Sequence, residues 1–387
     1  MWSSRLRWTL EPNPIATLLA QKRAAGEHIL DLTESNPTHA GLKYPAHEIT
    51  AALADARSIH YDPAPAGMAV AREAICANCY AGRVTPDRLL LTSSTSEAYG
   101  FLFKLLTDPG DEVLVPAPSY PLFDFLAGME LVQVKRYRLA YDGRWDIDLD
   151  ELERQITSHT RAVVVVNPNN PTGSFLKRRE AERLDRICAS RGIAIISDEV
   201  FFDYPLRTDP ERAPLFADPA EALTFHLSGL SKIAGLPQMK LGWIAVDGPE
   251  ALRRAAMERL ELIADTYLSV GAPVQYAAER LLEIGIAIRA QITERTLFNL
   301  RHSRATIADS PIRALDVEGG WYVTLEVPRL WSEEEWTLKL LREYGVLVQP
   351  GFFYDFEREA FLVLSLLTPS GDFAEGLRRI LTICGTI

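Results

Sequence analysis

The sequence predicts an α/β fold with a largely parallel sheet, followed by a second, smaller α+β domain. Three observations carry this. Between about residues 88 and 246, short apolar runs alternate with helical patterns, as βα units do. The run 162–166 is continuous and dominated by valine, as a strand buried on both faces requires. After Pro249 the alternation stops, giving way to two long helical stretches and a mixed remainder.

Residues 1–45 read as irregular, because turn signals such as Asn13-Pro14 and Asn36-Pro37 interrupt them. An alanine-rich pattern predicts a helix over about 66–81. Strand 88–92 and helix 96–106 begin the alternation. Strand 112–115, helix 120–127, strand 131–137 and a polar helix near 148–157 continue it. Strand 162–166, helix 177–190 and strands 193–197, 222–228 and 241–246 complete it. Helical patterns then cover 249–268 and 273–308, broken at Gly271-Ala272-Pro273. From about 311 the pattern is strand, helix, strand, strand, helix, with turns at Gly319-Gly320 and Pro350-Gly351.

A chain of 387 residues is long enough for two or three domains. With 47% hydrophobic and 24% charged residues it can bury ordinary cores, which excludes a disordered chain. A net charge of −11 argues against a nucleic-acid or anionic-membrane binder, since both demand a basic footprint. Four cysteines do not make a disulfide framework, and Cys76 and Cys79 share one helix face without a second pair, which reads as core. No run approaches the ~18–20 apolar residues of a membrane span, so reducing cytoplasm is the expected compartment.

The chemistry lies in segments that each follow a predicted strand, where ligands bind in open α/β sheets. There is no GxGxxG and no GxxxxGK[ST]; Ser174 to Lys177 spells SxxK, but without companion motifs it is a chance match. Ser93 to Ser96 places four hydroxyls where a helix begins, a setting that cradles phosphate. Asn170 sits in a proline-locked loop, Asn167 to Gly173, which can fix an amide donor. Asp198 ends a buried strand, where a carboxylate needs a cationic partner or a helix end to cap. Lys232 follows another strand and can act as a Schiff-base amine. Phosphate cradle, ring-nitrogen carboxylate and Schiff-base lysine together point to pyridoxal 5'-phosphate (PLP).

From about residue 28 onward the chain resembles the class I/II, fold-type-I PLP-dependent aminotransferases, the aspartate aminotransferase fold. Asn-Pro-Asn-Asn-Pro-Thr-Gly at 167–173 carries the resemblance, followed in order by Ser197-Asp198-Glu199-Val200, by Ser231-Lys232 and by Leu241-Gly242-Trp243. It implies a seven-stranded-type sheet in a large domain at 46–285. It also implies a discontinuous small domain, 1–45 with 286–387, joined by a long helix. The implied activity moves an amino group between an amino acid or amino compound and a 2-oxo acid. Lys232 and Asp198 would be catalytic, Asn170 would donate to the ring's phenolic oxygen, and Ser94, Thr95 and Ser96 would hold the phosphate. Tyr120 would stack on the ring. Tyr61 would reach the phosphate of a neighbouring subunit, which implies a homodimer, with Ser269 near the same interface.

Four positions depart from the family pattern. Lys240 stands where an arginine normally grips the phosphate; an ammonium pairs with it but lacks the bidentate fork. Phe201 replaces a tyrosine, and Ser35 replaces a glycine. Val363 occupies the place of the arginine that holds the substrate carboxylate, which a valine cannot do. Lys43 and Arg313 are candidate substitutes by location. The lost arginine also leaves room for a PLP-dependent lyase, decarboxylase or synthase; a non-catalytic PLP-binding protein is the third reading, which the retained Lys232 disfavours.

Overall fold

Eight strands form the main sheet in the computed structural model, which describes residues 2–6, 8–216 and 220–385. Across the sheet they run Leu89–Thr92, Gly242–Asp247, Thr224–Gly229, Ala194–Asp198, Thr160–Val166, Glu112–Ala117, Gln133–Tyr141 and Trp145–Ile147. The central pairings are parallel; Gly242–Asp247 is antiparallel to both its neighbours. Seven of these strands meet the expectation, and the eighth, Trp145–Ile147, is a short antiparallel addition to the end of Gln133–Tyr141. Three residues are too few for alternation to show in a sequence.

The sheet is covered on both faces, which explains the valine run. Ala162, Val164 and Val166 pack with Ala98, Leu102, Met257 and Leu260 on one side. Val163 and Val165 pack with Leu184 and Cys188 on the other. Those partners belong to helices Thr95–Leu106, Glu250–Asp265 and Arg178–Arg191.

A second sheet of four strands takes Arg313–Ala314, Tyr322–Glu326, Phe361–Ser365 and Gln349–Pro350 in that spatial order. The first two pair antiparallel across the Gly319-Gly320 turn, so the segment after 311 opens with two strands before its helix, Glu333–Tyr344. Leu30–Asp31 pairs in parallel with Val346–Leu347, which ties the two ends of the chain together. Helix Ala278–Ile307, 30 residues and thus about 45 Å long, packs against helix Ala69–Tyr80, where Cys76 and Cys79 join the apolar core, and against helix Ser370–Gly385.

The reading of residues 1–45 as wholly irregular is corrected. Asn13-Pro14 does not mark a turn; it starts the helix Pro14–Ala24. The Asn13 side chain accepts from the Ala16 N–H at 2.8 Å, and Pro14 occupies the first helical position. Only Ile15 of that helix is buried, so it shows no apolar stripe in the sequence. Helix 120–127 begins later than expected, at Phe123–Met129.

Candidate active site

Four strand ends meet at one edge of the main sheet around a cavity of about 310 Å³. The segments after Leu89–Thr92, Thr160–Val166, Ala194–Asp198 and Thr224–Gly229 all contribute to it. Ser94, Thr95, Ser96, Tyr120, Asn170, Asp198, Lys232 and Lys240 line it together, so the structure gathers eight of the nine predicted site residues. Tyr61 is the exception. It is 81% exposed and lines a separate depression with Ser269, whose hydroxyl donates to Glu97 at 2.6 Å.

The hydroxyl run divides its labour. Ser94 is the N-cap of helix Thr95–Leu106, accepting from the Glu97 N–H at 3.1 Å, while Glu97 accepts from the Ser93 N–H at 2.7 Å. Thr92 donates back to the Ser94 carbonyl at 2.9 Å. Thr95 and Ser96, the first two helical residues, are left at the cavity with the helix's unpaired N–H groups, a favourable seat for an anion.

Asn170 is fixed by its loop. Asn169, its neighbour, donates to the Pro118 carbonyl at 3.0 Å and to the Thr172 hydroxyl at 2.9 Å, and accepts from Ser119 at 2.9 Å. These bonds lock 167–173 against the segment that presents Tyr120. The Asn170 Oδ1 is buried and has no partner among the described residues.

Asp198 terminates its strand with no cation in contact among the described residues. One oxygen accepts from the Val200 N–H at 3.2 Å and the other from the Tyr99 hydroxyl at 3.0 Å. Burial raises its pKa to about 6, and these two bonds with the Lys232 charge hold it from rising further. The Lys232 ammonium lies 4.8 Å from the centre of the Trp321 ring and 5.5 Å from that of Phe201. Burial lowers its pKa to about 8, so the neutral, nucleophilic form is reached far more readily than for an exposed lysine. The Tyr204 hydroxyl donates to the Lys232 carbonyl at 2.5 Å and holds the turn in place.

Neither proposed substitute cation reaches the cavity. Lys43 lines a different surface cavity beside Gln291 and Arg295, and Arg313 is paired with Glu326 at 2.6 Å. Both proposals fail because location along the chain does not specify which way a side chain faces. Val363 is fully buried among apolar neighbours. Sequence reasoning missed Tyr99, Trp321 and Tyr322. Tyr99 follows the hydroxyl run by one helical turn on an apolar face, and only its polar tip distinguishes it from ordinary core. Tyr322 lines the cavity from the second sheet, next to Ser35. The SxxK lysine is structural: Lys177 is buried, bonded to Glu318 at 2.6 Å and Asp209 at 3.0 Å.

The sequence model of the family described as aminotransferase class I and II matches residues 27–380. Glutamate-pyruvate aminotransferase AlaA of Escherichia coli K12 is 28% identical over 261 residues, 66% of this chain; the chain spans 64% of that protein's length. Human tyrosine aminotransferase is 25% identical over 99% of this chain and 89% of its own length. Among solved structures, alanine aminotransferase from Pyrococcus furiosus superposes with a TM-score of 0.87 at 24% identity, covering 100% of both chains, which shows a shared fold.

Proposed function

The chain belongs to the aminotransferase class I and II family, and from that premise we propose that it is a PLP-dependent aminotransferase. It moves an amino group between an amino acid or amino compound and a 2-oxo acid, with Lys232 as its Schiff-base lysine. The observation that carries this is the meeting of Lys232 and Asp198 in one cavity with the Thr95 helix end. The cavity also fits the cofactor chemically, because a buried carboxylate without a contacting cation, a lysine of lowered pKa and an open helix N-terminus each match one part of it.

When bound, PLP supplies an electron sink. Asp198 would hold the proton on the ring nitrogen. Lys232 would move a proton between the substrate α-carbon and cofactor C4′. Asn170 would donate to the phenolic oxygen, and Tyr120 would stack on the ring. Ser94, Thr95, Ser96 and Lys240 would hold the phosphate. Tyr61 of a second copy would complete that seat in a homodimer. We further assign 46–285 to a large domain and 1–45 with 286–387 to a small one, and place the protein in the cytoplasm, consistent with its four free cysteines.

Borohydride reduction of the cofactor-loaded protein tests this assignment. The peptide containing Lys232 gains the mass of the reduced cofactor, and Lys232→Ala gains none; a label on another lysine would sink it. Among the described residues Lys232 and Lys240 are the cations lining the cavity, and the want of a third favours a second reading, a PLP-dependent lyase. In that case amino donors leave bound PLP unconverted to its amino form.

A further inference from the structure

We propose that the amino donor of this cavity carries no carboxylate on its reacting carbon: it is a primary amine with an apolar or aromatic body. This rests on the aminotransferase reading above.

The charges at the cavity do not leave one for a carboxylate. Among the described residues lining the cavity, the charged side chains are Asp198, Lys232 and Lys240. A phosphate monoester brings −1.5 to −2 near neutral pH. The proton on the ring nitrogen matches Asp198. Lys232 has to be a neutral amine to take the proton from the reacting carbon, so it brings no lasting positive charge. Lys240 and the end of helix Thr95–Leu106, worth about half a charge, then only offset the phosphate. From the described residues of its own subunit, a substrate carboxylate would receive no guanidinium fork and no spare cation to replace its water, at a high desolvation cost. The remaining walls suit an uncharged body: Phe123, Val166, Val200, Phe201 and Tyr322. Arg313 is committed to Glu326, and Lys43 lines another cavity.

The reaction balances without a further reactant. The donor exchanges its C–N bond for a C=O bond and leaves as an aldehyde or ketone. Its nitrogen, with the proton and electron pair of its C–H bond, passes to the cofactor's aldehyde carbon; the aldehyde oxygen leaves as water, and one water supplies the carbonyl oxygen of the donor carbon.

Matched pairs test the proposal: L-phenylalanine against 2-phenylethylamine, and L-leucine against 3-methylbutylamine. Calorimetric titration of the borohydride-reduced holoenzyme measures binding without turnover. Single-turnover spectra of the unreduced holoenzyme report conversion of bound cofactor to its amino form. Each amine is expected to bind at least tenfold more tightly than its amino acid and to convert the cofactor. Equal or tighter binding of the amino acids, with conversion, overturns the substrate assignment and leaves the aminotransferase reading standing. Conversion by neither member of either pair overturns that reading and this proposal with it.

Discussion

Asp198 is ionised at a cost. Its pKa in the fold, about 6, lies above the ordinary 3.8, so the folded state holds this proton more tightly than the unfolded chain. Stability of the cofactor-free protein therefore falls as pH rises through that window, and the penalty persists at neutral pH. Asp198→Asn should raise the Tm of the cofactor-free protein at pH 7 by about 2–4 °C while weakening PLP binding roughly 10- to 100-fold. Thermal melts and cofactor titration measure both, and a lower Tm would contradict the account. Lys232 adds an opposite slope at alkaline pH: between about 8 and 10.5 the unfolded chain binds the extra proton, so stability rises with pH there. Tyr99 acts through Asp198. Tyr99→Phe removes a donor to a buried carboxylate, so the Asp198 pKa climbs above about 6 and PLP affinity falls about tenfold. A carboxyl titration unchanged by the substitution would show that the bond does not tune the site.

At the scale of elements, the site depends on close approaches that glycine permits. Gly285 of helix Ala278–Ile307 faces Ala234, two residues beyond Lys232; a Cβ there would lie 2.4 Å from the Ala234 Cβ. Gly285→Ala should push the helix off the Lys232 turn, cost about 1–3 kcal/mol in stability, and weaken PLP binding. Denaturant melts and cofactor titration would detect both, and a variant with unaltered stability would show that the helix yields freely. The Asn170 loop is anchored differently. Lys177 reaches Glu318, and Glu318 also accepts from the Phe175 N–H at 2.8 Å, joining the large sheet's loop to the approach of the second sheet. Lys177→Met leaves Glu318 buried without its nearest cation and should cost about 3–5 kcal/mol; a loss below 1 kcal/mol in a urea melt would mean that Arg207, 2.9 Å from Glu318, suffices.

On the scale of the whole molecule, Ile59 and Tyr61 are about four-fifths exposed beside the depression that Ser269 lines, apolar surface of the kind an interface covers. Tyr61→Phe should leave a sedimenting dimer intact but reduce PLP affinity severalfold; a monomeric wild-type protein would remove the basis for that role. Much of this architecture was legible in the chain. The valine run, the strand–helix alternation and the hydroxyl, Asn170, Asp198 and Lys232 segments are local patterns, and local patterns place residues at strand ends. The helix Pro14–Ala24 and the strand Trp145–Ile147 were not legible, because one buries a single side chain and the other has three residues.

By itself the sequence determined which groups stand at the edge of the sheet, since periodicity and turn chemistry act over a few residues. Only the tertiary structure decided what those groups touch. Tyr99 meets Asp198 across 99 positions of chain, Trp321 comes near Lys232 from the turn before the strand Tyr322–Glu326, and Arg313 turns to Glu326 instead of the cavity. Such contacts are set by how helices and sheets pack, and packing is decided by the summed burial of many residues rather than by any one segment's pattern.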